Sequence, residues 1–419
     1  MSIRLGIIAD DFTGATDIAS FIALSGWSAV QLNGVPARYV DISAADAVVI
    51  SLKSRSCAAE EAKRLSHEAC EWLQSQGCQR IYFKYCSTFD STPAGNIGPV
   101  TDLLLELTHS PMAVLCPALP VNGRTTVYGH LFVNGRLLNE SGMQNHPLTP
   151  MTDAWLPRVM ERQATGECGL VSLDQIQIGK KVICQQLMAL QLQGKRYAVL
   201  DAVSSADLHA LACAIPDNLL LTGGSGLAAA IAALHPKAEN PSSERVPPAR
   251  GKSLVLAGSS SVMTNRQVAF YRQHAPSMAL DIGRVLDDGE TYRRELIAWY
   301  LTQPGEYAPM FYATRPANEV KTIQQRYGAE AAGAAIESLI ADLASQLVHH
   351  GVNKIIVAGG ETSSLVVQQL GIRGFVVGKA IAPGVPWVKD IASDMWLTLK
   401  SGNFGDEHFF INAQELFHE

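Results

Sequence analysis

The feature that most limits what this chain can become is an exchange between two hydrophobic periods, broken once. Short runs rich in β-branched and aromatic residues, Leu5–Ala9, Ala47–Leu52, Arg80–Lys84, Ala113–Cys116, Ala198–Asp201 and Leu219–Leu221, alternate with segments of helical period. Strands separated by helices are joined by crossovers, which build a largely parallel sheet. The exchange stops at 235–252, where prolines, serines and charges replace the apolar pattern. It resumes with runs at Ser253–Ala257, Met310–Ala313 and Lys354–Ala358, and with a long helical stretch from about Asn318 to His349. The break predicts a domain over 1–235, a linker over 236–252 and a domain over 253–419, in keeping with roughly 100 to 200 residues per domain. The expected class is α/β: two α/β domains with mainly parallel sheets. Asn134-Gly135, set between apolar runs, is a type I′ turn signal and predicts a β-hairpin insertion in the first domain.

Composition excludes several classes. Lys plus Arg number 33 against 39 Asp plus Glu, a net charge of −6 that offers no footprint for a polyanion, so nucleic acid is not an expected partner. Eight cysteines form no C-x-x-C pair and all precede residue 214, which fits reduced thiols and a cytoplasmic location. Asp10-Asp11 interrupts the N-terminal apolar run too early for a signal peptide. Apolar stretches such as Leu227–Leu234 fall short of the ~20 residues that cross a bilayer, so no membrane partner is expected. There is no repeat of fixed period, no P-loop, no dinucleotide fingerprint after the first strand, no H-E-x-x-H and no complete G-x-S-x-G. The stretch Thr222–Gly226 lacks an acidic ribose ligand downstream and reads as a turn; His130 and His146 read as structural.

Ligands of open α/β sheets collect at the carboxyl ends of strands, and three such junctions carry chemistry. In the first, Asp10 and Asp11 stand between the first strand and a helix expected to start near Ala15. Carboxylates there suit sugar hydroxyls, proton acceptance or Mg²⁺, while helix capping accounts for only one of the two. In the second, Lys84, Ser87, Thr88 and Asp90 share one loop, a mixture suited to a small polyhydroxylated acid. Arg55 supplies a planar fork for the same carboxylate, with a surface ion pair as its plainer reading. In the third, Gly359-Gly360-Glu361-Thr362 lies between a strand and a helix, and Gly258-Ser259-Ser260-Ser261 repeats the pattern, two turns whose amides can face an anion. The stretches Ala382–Pro386 and Lys400–Gly405 are glycine-bearing loops that could close over a nucleotide base or its phosphates, although an ordinary turn is the better reading of each.

Taken together, ADDFTGA at Ala9–Ala15, KYCSTFDSTPAGNIG at Lys84–Gly98, PALPVNGRTTVYGHLFVNG at Pro117–Gly135, GSSS at Gly258–Ser261, GGETS at Gly359–Ser363 and SGNFG at Ser401–Gly405 resemble the four-carbon acid sugar kinases over essentially the whole chain. The resemblance implies an N-terminal domain for the acid sugar, a C-terminal domain for ATP, Mg²⁺ with the nucleotide, and transfer of the γ-phosphoryl to a terminal hydroxyl across a cleft. Carried over by motif, the substrate side is Asp10, Asp11, Arg55, Lys84, Ser87, Thr88 and Asp90, and the nucleotide side is Ser259, Gly359, Gly360, Glu361, Thr362 and Gly402. Asp10, Asp11 and Asp90 are the candidate bases, and no metal ligand is assigned. A homo-oligomer is compatible with this reading. Its rivals are a kinase for D-threonate or D-erythronate, a non-catalytic sugar-acid sensor, and a nicotinamide oxidoreductase, the last weakened by the missing fingerprint.

Overall fold

The first apolar run forms strand β1 (Leu5–Ala9), whose five residues are all buried, so that both of its faces are covered by helices. The structure is a computed structural model that describes residues 3–43, 45–145, 149–235, 245–303, 305–315 and 327–417. The chain divides into two compact units, Met1–Ser243 and Glu244–Glu419.

In the first unit β1 is followed by β2 (Ala29–Asn33), β3 (Ala47–Ser51), β4 (Arg80–Lys84) and β5 (Ala113–Cys116). Next come β6 (Arg124–Val127), β7 (His130–Val133), β8 (Arg136–Leu137), β9 (Cys168–Val171), β10 (Tyr197–Leu200) and β11 (Leu220–Gly223). The main sheet runs β2-β3-β1-β4-β11-β5-β10-β9, parallel at each neighbouring pair. Strand β2 escapes a hydrophobic reading because Gln31 interrupts it; Gln31 is buried and its Oε1 accepts from Thr16 Oγ1 at 2.8 Å. Strand β9 contains a glycine and lies at the sheet edge.

The expected hairpin is a three-stranded ribbon, β6-β7-β8. Asn134 and Gly135 have φ of 50° and 78° at the β7–β8 turn, as a type I′ turn requires. A second such turn, Tyr128-Gly129 with φ of 48° and 72°, joins β6 to β7. It is held by buried Asp201, whose carboxylate accepts from the backbone N–H groups of Tyr128 at 2.5 Å and Gly129 at 2.9 Å. His130 Nδ1 lies 3.0 Å from the Tyr128 carbonyl oxygen, a structural contact, and His146 falls outside the described residues.

The second unit contains β12 (Lys252–Ala257), β13 (Ser277–Ala279), β14 (Met310–Tyr312) and β15 (Val352–Ala358), then β16 (Gly374–Ala382), β17 (Val385–Asp390) and β18 (Trp396–Lys400). Its order is β13-β14-β12-β15-β18-β17-β16, with β17 antiparallel to both neighbours. The segment Ala382–Pro386, read above as a loop, is the tip of the β16–β17 hairpin with Gly384 at φ 78°. Pro386, which has no N–H to donate, sits where the hairpin register shifts, so its presence hid a genuine strand. Trp387, Tyr271, Phe409, Phe410 and Ile356 lie at the centre of this unit's core.

The long helix runs Ala329–Val348, while 316–326 lie outside the described residues. Contrary to the expectation that no stretch is long enough, its part Ala331–Val348 is long and apolar enough to cross a bilayer by length and composition. Ile340, Leu343, Ala344 and Leu347 are buried within the unit, as in the core helix of a globular fold. All eight cysteines are free thiols.

Both sheets are wound alike. From β1 the chain steps two places out to β2, returns to β3 and crosses over β1 to β4; β12, β13, β14 and β15 repeat that path. Connections leave β1 and β4 in opposite directions, as they do β12 and β15. Each unit therefore has a topological switch point, where the loops after two adjacent strands part and leave a crevice.

Candidate functional site

In the first unit the loops after β1 and β4 flank the switch point, and the loop after β3 closes one side. Helix Phe12–Leu24 starts three residues earlier than expected because Asp11 is its N-cap, accepting from the Gly14 N–H and Thr13 Oγ1, both at 2.9 Å. Asp10 is not a cap. Both its oxygens are taken by Arg55, from Nε at 3.0 Å and Nη2 at 2.7 Å, and Nη2 also donates to Asp11 Oδ1 at 2.7 Å. The fork expected to hold a substrate carboxylate reaches the protein's own acidic pair through Nε and Nη2. The reason is proximity: the Ser54 and Arg55 amides donate to the Asp10 carbonyl oxygen, which brings the side chain onto both aspartates.

Across the crevice, Thr88 Oγ1 donates to Asp90 Oδ1 at 2.5 Å, and Cys86 Sγ lies 2.9 Å from the same hydroxyl. Asp90 Oδ2 has no hydrogen-bond partner among the described residues and is not buried. Ser87 faces the turn after β11, its Cβ 3.5 Å from where a side chain on Gly224 would begin. Lys84 is buried beneath Gly14 and donates to the Tyr85 carbonyl oxygen at 2.9 Å.

Two contributors were not singled out by the sequence reading. Asn96 Nδ2 donates to the carbonyls of Ser54 (2.7 Å) and Cys57 (2.8 Å), tying the Arg55 loop to the segment after β4. Asp17 Oδ2 accepts from Ser225 Oγ and lies 4.0 Å from Lys84 Nζ. Asn96 reads as a helix cap and Asp17 as a helix-surface acid, and only a three-dimensional neighbour reveals their roles.

The electrostatics separate the acidic residues. Burial pushes the Asp10 carboxyl above its ordinary range despite Arg55, and does the same to Asp17 despite Lys84. Burial also opposes ionisation of Asp11, but the charges of Arg55 and Lys84 and the donors Thr13 and Gly14 hold it below the usual range. Arg55 is stabilised in its charged form against burial by Asp10 and Asp11.

In the second unit the turns after β12, β15 and β18 converge. The Gly258 and Ser259 amides donate to the Ala358 carbonyl oxygen at 2.9 and 3.1 Å, and the Gly359 amide to that of Lys400 at 2.8 Å. A Cβ on Gly402 would lie 2.5 Å from Ser259 Oγ, and one on Gly258 would lie 2.2 Å from Thr362 Oγ1. Gly359 has φ 134° and precedes helix Gly360–Gln369, whose first turn has no side-chain cap. Ser259, Gly359, Gly360, Thr362 and Gly402 thus gather at the start of that helix, whose uncapped first-turn amides are of the kind that take phosphates. Glu361 is exposed in that first turn, where its charge competes with an anion for the helix N-terminus.

Gly359→Ala tests this surface. Its Cβ would stand 2.8 Å from Thr362 Oγ1 and 3.2 Å from the Ser259 amide, in a backbone region that costs an L-residue about 1–3 kcal/mol. The KM for nucleotide is expected to rise about tenfold or more while that for the acceptor stays put. Initial-rate kinetics with each substrate varied in turn would show it.

Lys400, fully buried at the end of β18, donates to Thr264 Oγ1 (3.1 Å) and the carbonyls of Ser401 (3.0 Å) and Gly402 (2.8 Å), fixing the third turn. Burial brings its pKa down to about 7. An unfolded lysine titrates near 10.4, so between about pH 7 and 10.4 the unfolded chain binds the extra proton. Stability therefore rises with pH across that window, by on the order of a few kcal/mol, and the deficit is fully present below it. Urea midpoints should be higher at pH 9 than at pH 6, and Lys400→Met should flatten that difference.

The fold and these two surfaces define a two-unit α/β enzyme with a polar crevice at each switch point, acidic and hydroxylated in one and amide-lined in the other. Residues 5–231 match the family model described as a sugar-binding N-terminal domain, and 254–410 the one described as a nucleotide-binding C-terminal domain. The chain belongs to the four-carbon acid sugar kinase family. It is 52% identical over 422 residues to the 3-oxo-tetronate kinase of Pectobacterium atrosepticum, covering 99% of each chain. To that of Escherichia coli K12 it is 51% identical over 385 residues, covering 91% of this chain and 99% of the relative. Two crystal structures are close in shape. A Salmonella typhimurium LT2 protein has a TM-score of 0.92 at 51% identity, covering 98% of this chain and 99% of that one. A Haemophilus influenzae protein has a TM-score of 0.85 at 51% identity, covering 98% and 100%.

Proposed function

We propose that this kinase transfers the γ-phosphoryl group of ATP to the 4-hydroxyl of 3-oxo-tetronate, the first unit binding the acid sugar and the second the nucleotide. The observation that carries the division is the difference between the two switch points. One offers carboxylates, a lysine and hydroxyls; the other offers backbone amides around glycines whose Cβ positions are already filled by Thr362 and Ser259. Full-length identity to 3-oxo-tetronate kinases supports the acceptor.

Within the first crevice, an aspartate orients the acceptor hydroxyl and takes its proton. Asp90 is best suited, since it keeps an open oxygen while Arg55 occupies both oxygens of Asp10. In the second, the amides after Gly359 hold the phosphates in line. Mg²⁺ supplies charge neutralisation to phosphoryl transfer. Among the described residues no cluster of three or more His, Cys, Asp or Glu forms a ready-made cation cage. That fits an ion carried largely by phosphates and water, as Mg²⁺ commonly is. A cytoplasmic setting suits a kinase with eight free thiols.

ADP release measured across 3-oxo-tetronate, D-threonate and D-erythronate tests this reading. Preference for 3-oxo-tetronate is the expected result. Preference for either other acid reassigns the acceptor, and acid binding without turnover would leave a sensor.

A further inference from the structure

Three lysines in the described residues are buried to 2% exposure or less, and they provide an internal comparison. Lys354 Nζ donates to four carbonyls, those of Pro248, Ala249, Arg250 and Gly251, at 2.7–3.3 Å. Lys400 Nζ has three oxygen acceptors. Lys84 Nζ has one, the Tyr85 carbonyl oxygen, and its nearest carboxylate oxygen stands off at 4.0 Å. An ammonium has three protons to place, and a buried one left short of acceptors is costly. Of the three, Lys84 is the one that adjoins the acidic crevice, and it has donor positions left over.

That stand-off is built in. Asp17 Oδ2 is held by the hydroxyl of Ser225, so the carboxylate balances the Lys84 charge without filling its donor positions. The other oxygen, Asp17 Oδ1, is buried with no partner among the described residues. Ser225 opens helix Ser225–Ala233, whose N-cap, Gly224, supplies no side-chain acceptor. The carbonyls of the preceding turn are already engaged, that of Gly223 by the Tyr85 amide at 3.1 Å and that of Gly224 by Tyr82 Oη at 2.6 Å. What stays open around Ser225 is a set of first-turn N–H groups, an under-served ammonium and one lone carboxylate oxygen. Two or more donors beside a single acceptor complement a carboxylate that carries a hydroxyl on its neighbouring carbon.

We propose that Lys84 and the first-turn amides of helix Ser225–Ala233 form the subsite for the acceptor's carboxylate, with Asp17 Oδ1 accepting from the adjacent 2-hydroxyl, and that Ser225 is a positioning residue that keeps Asp17 off the ammonium. The turn Thr222–Gly226, which looks purely structural in sequence, thereby sets selectivity for acids over neutral sugars. This rests on the reading of the first unit as the acid-sugar site.

The test is calorimetric titration of 3-oxo-tetronate, and of the four-carbon ketose erythrulose in which hydroxymethyl replaces the carboxylate, into wild type, Lys84→Gln and Ser225→Ala. Wild type should bind the acid at least about tenfold more tightly than the ketose, as hydrogen bonds to a charged group allow. Lys84→Gln should weaken the acid by about 10- to 100-fold and leave the ketose unchanged. Ser225→Ala removes one hydroxyl at constant backbone, so it serves even if Lys84→Gln fails to fold. It should let Asp17 close on Lys84 and lower the same selectivity severalfold. Equal binding of acid and ketose by wild type, or selectivity untouched in a folded Lys84→Gln or in Ser225→Ala, overturns the proposal. ADP release run in parallel separates the two claims. Selective binding without ADP release sinks the kinase activity and keeps the subsite, whereas turnover with unaltered selectivity in the variants does the reverse.

Discussion

Arg55→Met is expected to destabilise the first unit by about 3 kcal/mol and to abolish turnover. Arg55 makes three short hydrogen bonds to two carboxylates, and the Asp10 side chain is only 7% exposed. Removing one member of a buried ion pair leaves the other charge desolvated and uncompensated, an effect of about 3–5 kcal/mol. The lower figure applies because Arg55 itself keeps 22% of its side chain exposed and Asp11 26%. The loop after β3 would keep its backbone bonds to the Asp10 carbonyl but lose its side-chain tie, and Asp11 would lose one of the charges that keep it ionised. Arg55→Lys should recover only part of the loss, since an ammonium cannot span both Asp10 oxygens in the plane of the fork. Urea denaturation of the three proteins measures this. A midpoint for Arg55→Met equal to wild type would show that the ion-pair cluster contributes nothing net.

Asp90→Asn is expected to lower kcat by roughly 10² to 10⁴ with nucleotide binding and stability preserved, the usual span for loss of a general base. Among the three aspartates at this switch point, Asp10 is saturated by Arg55 and Asp11 caps a helix, so amide replacement there is expected to act first through structure. Asp90 gives up only its hydrogen bond from Thr88. The measurement is kcat against pH for the three Asn variants, alongside their urea midpoints. A kcat loss confined to a stable Asp11→Asn would move the base to Asp11, and normal turnover in all three would remove the base assignment altogether.

Much of the fold is legible in the sequence because α/β units write their strands as apolar runs that end in polar loops. Leu5–Ala9, Arg80–Lys84 and Ala113–Cys116 are strands over the very residues that the pattern picks out. Strands whose stability comes from a neighbour are hidden. Strand β2 carries a buried glutamine satisfied by Thr16, and β17 carries a proline at a register shift. The junction motifs stand out for a related reason, since side chains at strand ends escape the demands of core packing.

What the linear order of residues determined by itself was the α/β class and the apolar runs that become strands, because these depend on local period and local composition. What only the tertiary structure decided was which charge answers which. It gave the Arg55 fork to Asp10 and Asp11, set Asp17 beside Lys84, and brought Ser225, 208 residues distant in the chain, onto Asp17. Coulomb and hydrogen-bond energies fall off over a few ångströms of space and are blind to separation along the backbone, so a residue's partner, and with it the residue's role, exists only once the strands have been laid side by side.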